Sequence, residues 1–290
     1  MVIDAEALVI RKRLEQSLKE LPPLPTAVAK VLDETNRQEP DMHKIDEIVS
    51  GDQALASKVL RIVNSAYYGL SRQVTSVHQA VLILGIQQIR TITLSVGSIS
   101  AFTSRGPVDA DGMRRFWQHS FATAAACGAL CSKLNVDRKT SDDISTIGIL
   151  HDVGRMFFFC NFKPSYQKLV NKALSAGTTY EFEEEAFLGD NHAGIGSIVA
   201  DKWQLPEKIV EGIRFHEGPF TSEVTQTIAI LAIADWMNKG YYYDGQGPIA
   251  PLAPELLEAL GLSEEAILEI GEKVRNKVDE ASQIYGMLAA

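Results

Sequence analysis

The 290-residue chain is 46% hydrophobic and 22% charged, as ordinary globular proteins are, and carries a net charge of −9. That length suffices for one large domain or two lobes packed together, and no apolar run approaches the ~18 residues that a membrane span requires. Residues 1–110 hold 12 basic and 12 acidic side chains while 111–290 hold 16 and 25, so the acidic excess lies wholly in the later part and disfavours nucleic acid or an anionic membrane as partner.

Helix-type periodicity and helix punctuation run throughout, and alternating strands are absent, which predicts an all-α fold. Leu21-Pro-Pro-Leu-Pro25 is a stiff extended segment, after which Thr26 is expected to cap a helix reaching about Asn36. Asp41 caps the next, with Ile45, Ile48 and Val49 on its apolar face, and Gly51 ends it. Asp52 opens a helix to about Ala66, Ser76 opens one that Gly85 stops, and another covers Ile86 to about Ile99. Thr103–Asp109 reads as a linker between an N-terminal helical lobe and the remainder.

Beyond it, Ser141 is expected to cap a segment carrying His151 and Asp152, and Asp190 or Asn191 to start one carrying His192. Pro206 suits the first position of a helix ending near His216, and a long helix from about Ser222 to Asn238 contains Asp235. Tyr241–Pro254 is a Gly/Pro/Tyr-rich loop, and a final polar helix over roughly Ser263–Ile284 is expected to be peripheral. Cys127, Cys131 and Cys160 suggest reduced thiols, with the CxxxC pair more like buried small hydrophobes than zinc ligands. The first residues carry acids and lack a signal peptide's basic start and cleavage site, so a cytoplasmic protein is expected.

Residues three, four and seven apart share a helix face. On that basis His119, Asp152, His192, His216 and Asp235 each lie on a stripe of apolar or small neighbours that should face the core. A buried carboxylate costs several kcal/mol unless it is paired or bound to a metal. Separate satisfaction, His by a carbonyl and Asp152 by a helix N-terminus or Arg155, explains any one of them. Five helices with the same anomaly have a more economical common cause, because imidazole and carboxylate form a first shell for divalent transition metals. Gly148, Gly154, Gly194, Gly196 and Gly212 would leave space beside such ligands.

Leu21–Pro25, Lys58-Val-Leu-Arg-Ile-Val-Asn-Ser-Ala-Tyr-Tyr-Gly69, Val81–Gly85 and Ile89-Arg90 resemble the N-terminal half of an HDOD domain. Trp117–Ser120, Gly148-Ile-Leu-His-Asp-Val-Gly-Arg155, Asp190–Ala193, Trp203–Pro206 and Phe215–Pro219 resemble its second half. The resemblance spans about residues 14–240. It implies an all-α, HD-like helical bundle with an N-terminal helical lobe, related to HD phosphohydrolases and associated with bacterial signalling. It divides the chain into an N-terminal lobe over 14–105, an HD-like lobe with the metal site over 106–240, and a loop with a peripheral helix over 241–290. It also implies that His119, His151, Asp152 and Asp235 correspond to first-metal ligands and His192 and His216 to second-metal ligands, with Asp152 bridging, for one or two ions of Fe, Mn or Zn. Arg155 stands where HD-GYP enzymes have Lys, Phe215 where they have a second His, and Arg115 where some have Glu. These departures bear on turnover more than on metal binding.

Three functions follow. A regulatory output module would act through contacts with a signalling protein partner. A metal-dependent phosphohydrolase would act on a nucleotide or cyclic dinucleotide, Asp152 orienting the attacking water and Arg155 gripping a phosphate oxygen. DNA binding ranks last, because the helix–Gly51–helix unit offers only Lys58 and Arg61 on its second helix. The Asn64–Gly69 block is read as a packed helix corner, His43 and His78 as surface histidines, and Glu183-Glu184-Glu185 as first-turn carboxylates favoured by the helix dipole.

Overall fold

The computed structural model describes residues 5–103, 110–239 and 250–289, and among these every regular element is a helix. Helices α1 (Ala5–Lys19), α2 (Thr26–Thr35), α3 (Met42–Ser50), α4 (Gln53–Val63), α5 (Val77–Leu84) and α6 (Ile86–Thr103) precede α7 (Ala110–Lys133), α8 (Arg138–Leu150) and α9 (Val153–Ala176). Then follow α10 (Tyr180–Leu188), α11 (His192–Lys202), α12 (Glu207–Phe215), α13 (Gln226–Asn238), α14 (Pro254–Leu260) and α15 (Glu264–Ala289). Residues 104–109 of the expected linker and 240–249 of the expected loop lie outside the described residues.

Most helix starts follow from caps. Asp41, Asp52, Ser76 and Asn191 accept from backbone N–H groups in the first turns of α3, α4, α5 and α11, which offsets about 1 kcal/mol of unmet donors at each. Four starts differ from expectation, the smallest being α12, where Pro206 precedes the first helical residue and does not occupy it. Thr26 lies inside α2 behind Pro25 and makes no capping bond. Asp137, not Ser141, caps α8 by accepting from Thr140, because left-handed Asn135 turns the chain out of α7 just before it. Thr225, not Ser222, caps α13.

One cluster of buried apolar side chains runs from Ile10 to Val274. Within it α6 packs against α2, α4, α5, α8 and α9, so nearly every side chain from Ile89 to Phe102 is buried. Of its buried hydroxyls, Ser95 and Ser98 donate to the carbonyls four residues earlier, whereas the Thr93 hydroxyl has no hydrogen-bond partner. Asn64 staples the corner after α4, donating to the Leu60 and Val74 carbonyls and accepting from the Val74 N–H, while Tyr67 meets Phe121 edge to face. The second hub is α7, which packs on α8, α13 and α15 around Phe116, Trp117 and Phe121. Where the sequence suggests a peripheral last helix, α15 lies along α7 and buries Ile267, Ile270 and Val274.

Two features aim the later helices. Pro164 lacks the N–H that would bond four residues back, and α9 bends at Phe162 (φ −134°). At the start of α9, Gly154 meets α11 backbone to backbone: a Cβ there would lie 2.0 Å from the His192 carbonyl oxygen. Gly154 and Gly196 therefore permit close helix approach, and Gly212 does the same against Ile147; they do not open space beside the polar residues.

Candidate metal centre

His151 and Asp152 fall at the break between α8 and α9, and from there both side chains turn inward. His119 comes from the middle of α7, His192 from the first residue of α11, His216 from the end of α12 and Asp235 from the last turn of α13. All six are at most 2% exposed. The structure thus brings together every metal-ligand candidate that the sequence singles out.

The geometry forms two sets. In the first, His119 Nε2 lies 3.0 Å from both Asp235 Oδ1 and His151 Nε2, and 3.5 Å from Asp152 Oδ2. His151 Nε2 lies 3.4 Å from Asp152 Oδ2 and 3.3 Å from Asp235 Oδ1. In the second set, His192 Nε2 lies 3.0 Å from Asp152 Oδ1 and 3.3 Å from His216 Nε2. His216 Nε2 stands 3.8 Å from Asp152 Oδ1. The two oxygens of Asp152 therefore face different sets.

The ring tautomers follow from what the other nitrogens touch. Nδ1 of His119 lies 3.1 Å from the Asn238 carbonyl, that of His151 2.8 Å from the Gly148 carbonyl, and that of His216 2.7 Å from the Ile213 carbonyl. A carbonyl only accepts, so each Nδ1 carries hydrogen and donates. Nδ1 of His192 likewise donates to Glu184 Oε2 at 2.7 Å. The Nε2 lone pair of His192 also faces an Arg155 terminal nitrogen at 3.3 Å, and those of His119, His151 and His216 point at one another and at carboxylate oxygens, an arrangement that requires a proton or a cation among them. For metal–ligand bonds of about 2.0–2.2 Å, neighbouring ligand atoms sit about 3.0–3.5 Å apart. The first set meets this spacing, and the second is slightly looser.

Charges around the cluster are unequal. Asp152, Glu181, Glu184, Glu217 and Asp235 stand beside Arg155 and Lys239. Burial alone would raise the carboxyl pKa of Asp152, yet His151, Arg155 and His192 hold it well below the usual range. Burial would likewise lower His151, but Asp152 and Asp235 push it up to about 10. In His119 burial prevails and the imidazole pKa is lowered.

Four residues here were not picked out from the sequence. Glu217 Oε1 lies 3.4 Å from His192 Nε2 and 3.7 Å from His216 Nε2, adding a carboxylate to the second set. Glu181 accepts from Arg155 at 2.7 Å. Lys239 donates to both oxygens of Glu217. Glu184, read as a dipole-favoured first-turn acid, is fully buried and also accepts from Tyr166 and the His192 N–H. A stripe of Tyr180, Glu184 and Leu188, four apart, carries the same signal that marks the histidines. Arg155, the phosphate-gripping candidate, has its Nε 3.1 Å from Asp152 Oδ1. The thiols of Cys127 and Cys131 are buried and belong to neither set.

With this geometry in place the chain can be compared with known proteins. The HDOD domain pattern matches residues 21–219. The chain belongs to the HDOD family. An uncharacterised Treponema pallidum (strain Nichols) protein is 23% identical over 283 residues, covering 97% of this HDOD chain, which spans about half (54%) of that relative. Among solved structures, a Shewanella amazonensis SB2B protein provisionally named a phosphohydrolase is 24% identical, with a TM-score of 0.74 over 95% of this chain and 98% of the other. An HDOD domain protein of unknown function from Geobacter sulfurreducens is 20% identical, TM-score 0.74, over 97% and 98% of the two chains. A Marinobacter aquaeolei VT8 protein provisionally named for signal transduction is 20% identical, TM-score 0.77, over 100% and 67%. Such identities establish the shared helical fold. No helix among the described residues is long and apolar enough to cross a membrane.

Proposed function

We propose that this HDOD protein is a signal-transduction output module whose HD-type centre holds one or two divalent transition metals and which acts through contacts with a signalling protein. The observation that carries the reading is the convergence of four Nε2 lone pairs, each fixed by an Nδ1–H bond, on Asp152 and Asp235 in a buried core. His119, His151, Asp152 and Asp235 would hold the first ion; Asp152, His192 and His216, joined by Glu217, the second. This mix of imidazole and carboxylate suits iron, manganese or zinc. A bound ion supplies Lewis acidity and a positive charge that offsets the desolvated carboxylates.

The chain's own groups favour a regulatory role over turnover. Arg155 is engaged by Asp152 and Glu181, and Lys239 by Glu217, so both cations beside the centre already have carboxylate partners. On this reading residues 106–240 carry the centre, 14–105 offer a docking lobe, and within 241–290 helices α14 and α15 brace the bundle. The reduced thiols fit a cytoplasmic setting.

A second reading, a phosphohydrolase acting on a nucleotide or cyclic dinucleotide, is favoured by one observation: Asp152 turns a different oxygen to each set. Asp152 would then orient water, and Arg155 would release Glu181 to grip a phosphate oxygen. Elemental analysis of freshly purified protein tests the shared premise. About one or two equivalents of metal are expected, lost when His151→Ala and Asp152→Ala are combined; metal-free wild type would overturn it. Turnover assays on Mn(II)- or Fe(II)-loaded protein with phosphodiester and nucleotide substrates separate the two readings, and hydrolysis would reject the purely regulatory one.

A further inference from the structure

At the start of α8, the opposite end of that helix from His151, a cleft of about 610 Å³ opens between the end of α2, the start of α6 and the start of α12. Its floor holds Arg90, whose side chain is 4% exposed. The guanidinium is poorly met. One nitrogen lies 3.4 Å from Gln87 Oε1 and 3.9 Å from Asp143 Oδ1, while Nε and the other terminal nitrogen have no hydrogen-bond partner. Donors of a buried charged group left unmet oppose folding unless a ligand satisfies them.

The surroundings add positive charge. Lys208 binds Asp143, the one acid on the cleft wall, so that carboxylate already serves a cation before Arg90 reaches it. Lys139 and Arg37 complete the lining charges, Arg37 also meeting Glu34 at 3.4 Å. Four cations and one carboxylate thus line a cleft in a protein whose net charge is −9. Side-chain amides of Gln38 and Gln204 stand at the rim, able to hydrogen-bond a polar ligand body.

We propose that this cleft binds a phosphate-bearing small molecule whose anionic group ion-pairs with Arg90. A guanidinium fork offers two parallel donors that match phosphate oxygens, and an anion entering the cleft must part the side chains that now shield Nε and the unpaired terminal nitrogen. Lys139 and Lys208 strengthen the field at the mouth, and the volume is that of a small-molecule site. The ligand would bridge elements from both ends of the chain through one buried charge.

Inorganic pyrophosphate is the probe, titrated calorimetrically into the full chain at low ionic strength. Saturable, salt-sensitive binding is expected, weakened about ten- to hundred-fold by Arg90→Met and several-fold by Lys139→Ala with Lys208→Ala. His151→Ala should leave it unchanged, which separates this cleft from the metal centre; binding lost in that variant would assign it to the centre and overturn the proposal. Without pyrophosphate, Arg90→Met should melt no lower than wild type, since the removed charge has no good partner. A large drop would mark Arg90 as structural and count against the site. If Arg90→Met fails to fold, the exposed Lys139/Lys208 double variant decides: unchanged affinity, or no saturable binding to wild type, overturns the cleft.

Discussion

Glu184 fixes His192 twice, accepting from its backbone N–H and from Nδ1, and the second bond turns Nε2 toward Asp152. Such outer partners typically govern metal affinity by about ten- to hundred-fold. Glu184→Ala should therefore lose affinity by that factor at the second set and leave the first untouched, as read by metal stoichiometry and calorimetry. Equal loss at both would mean that Glu184 supports the fold and not that ring. The thiols argue the opposite case, of polar atoms without a task. Burial raises Cys127 well above its ordinary value, raises Cys131, and pushes Cys160 up to about 12. The reactive thiolate is then scarce at pH 8. Ellman's reagent should react slowly with native protein and titrate all three thiols only after denaturation; a fast native equivalent would contradict this.

At the scale of elements, the centre depends on how closely helices approach. Gly154 faces the His192 carbonyl across α9 and α11, and a methyl there cannot fit without separating them. Gly154→Ala should cost about 1–3 kcal/mol in chemical denaturation and weaken the second set, because His192 rides on the displaced helix. Leu150 is 2% exposed at the end of α8, so Leu150→Ala should cost about 2–5 kcal/mol as a cavity. A cost near zero would show that the helix end carrying His151 is not anchored by its packing. The caps Asp41, Asp52 and Ser76 were legible in the sequence because a cap is a local event within four residues, and the structure chooses Asn191 over the equally suited Asp190. The start of α8 was not legible, since Asp137 and Ser141 both suit a cap and the left-handed turn at Asn135 chooses between them.

For the molecule as a whole, the centre links stability to metal and to pH. Without metal, the imidazolium of His151, raised from 6.5 to about 10, contributes stability fully below about 6.5 and loses it as pH climbs through 10. Asp152, held below its ordinary 3.8, contributes above that value and loses its share as pH falls. Chelated protein should accordingly melt lower at pH 10 than at pH 7. Metal competes with those protons, so the stabilisation that metal confers should grow over the same interval. Melting curves with and without chelator, measured between these pH values, check it; parallel curves would dissociate the cluster from metal.

The sequence by itself determined that the chain is helical, where several of its helices begin, and which polar residues ride on apolar faces, because these follow from short-range periodicity and the cost of burying charge. It singled out His119, His151, Asp152, His192, His216 and Asp235 as one set by that argument and by family resemblance. Only the tertiary structure decided that the two oxygens of Asp152 face separate sets, and that Glu181, Glu184, Glu217 and Lys239 join them. It alone also shows that Arg90 lies buried without full partners under a basic cleft. Which side chains meet across helices distant in the chain depends on crossing angles and close contacts such as Gly154 against His192, and no local pattern encodes those.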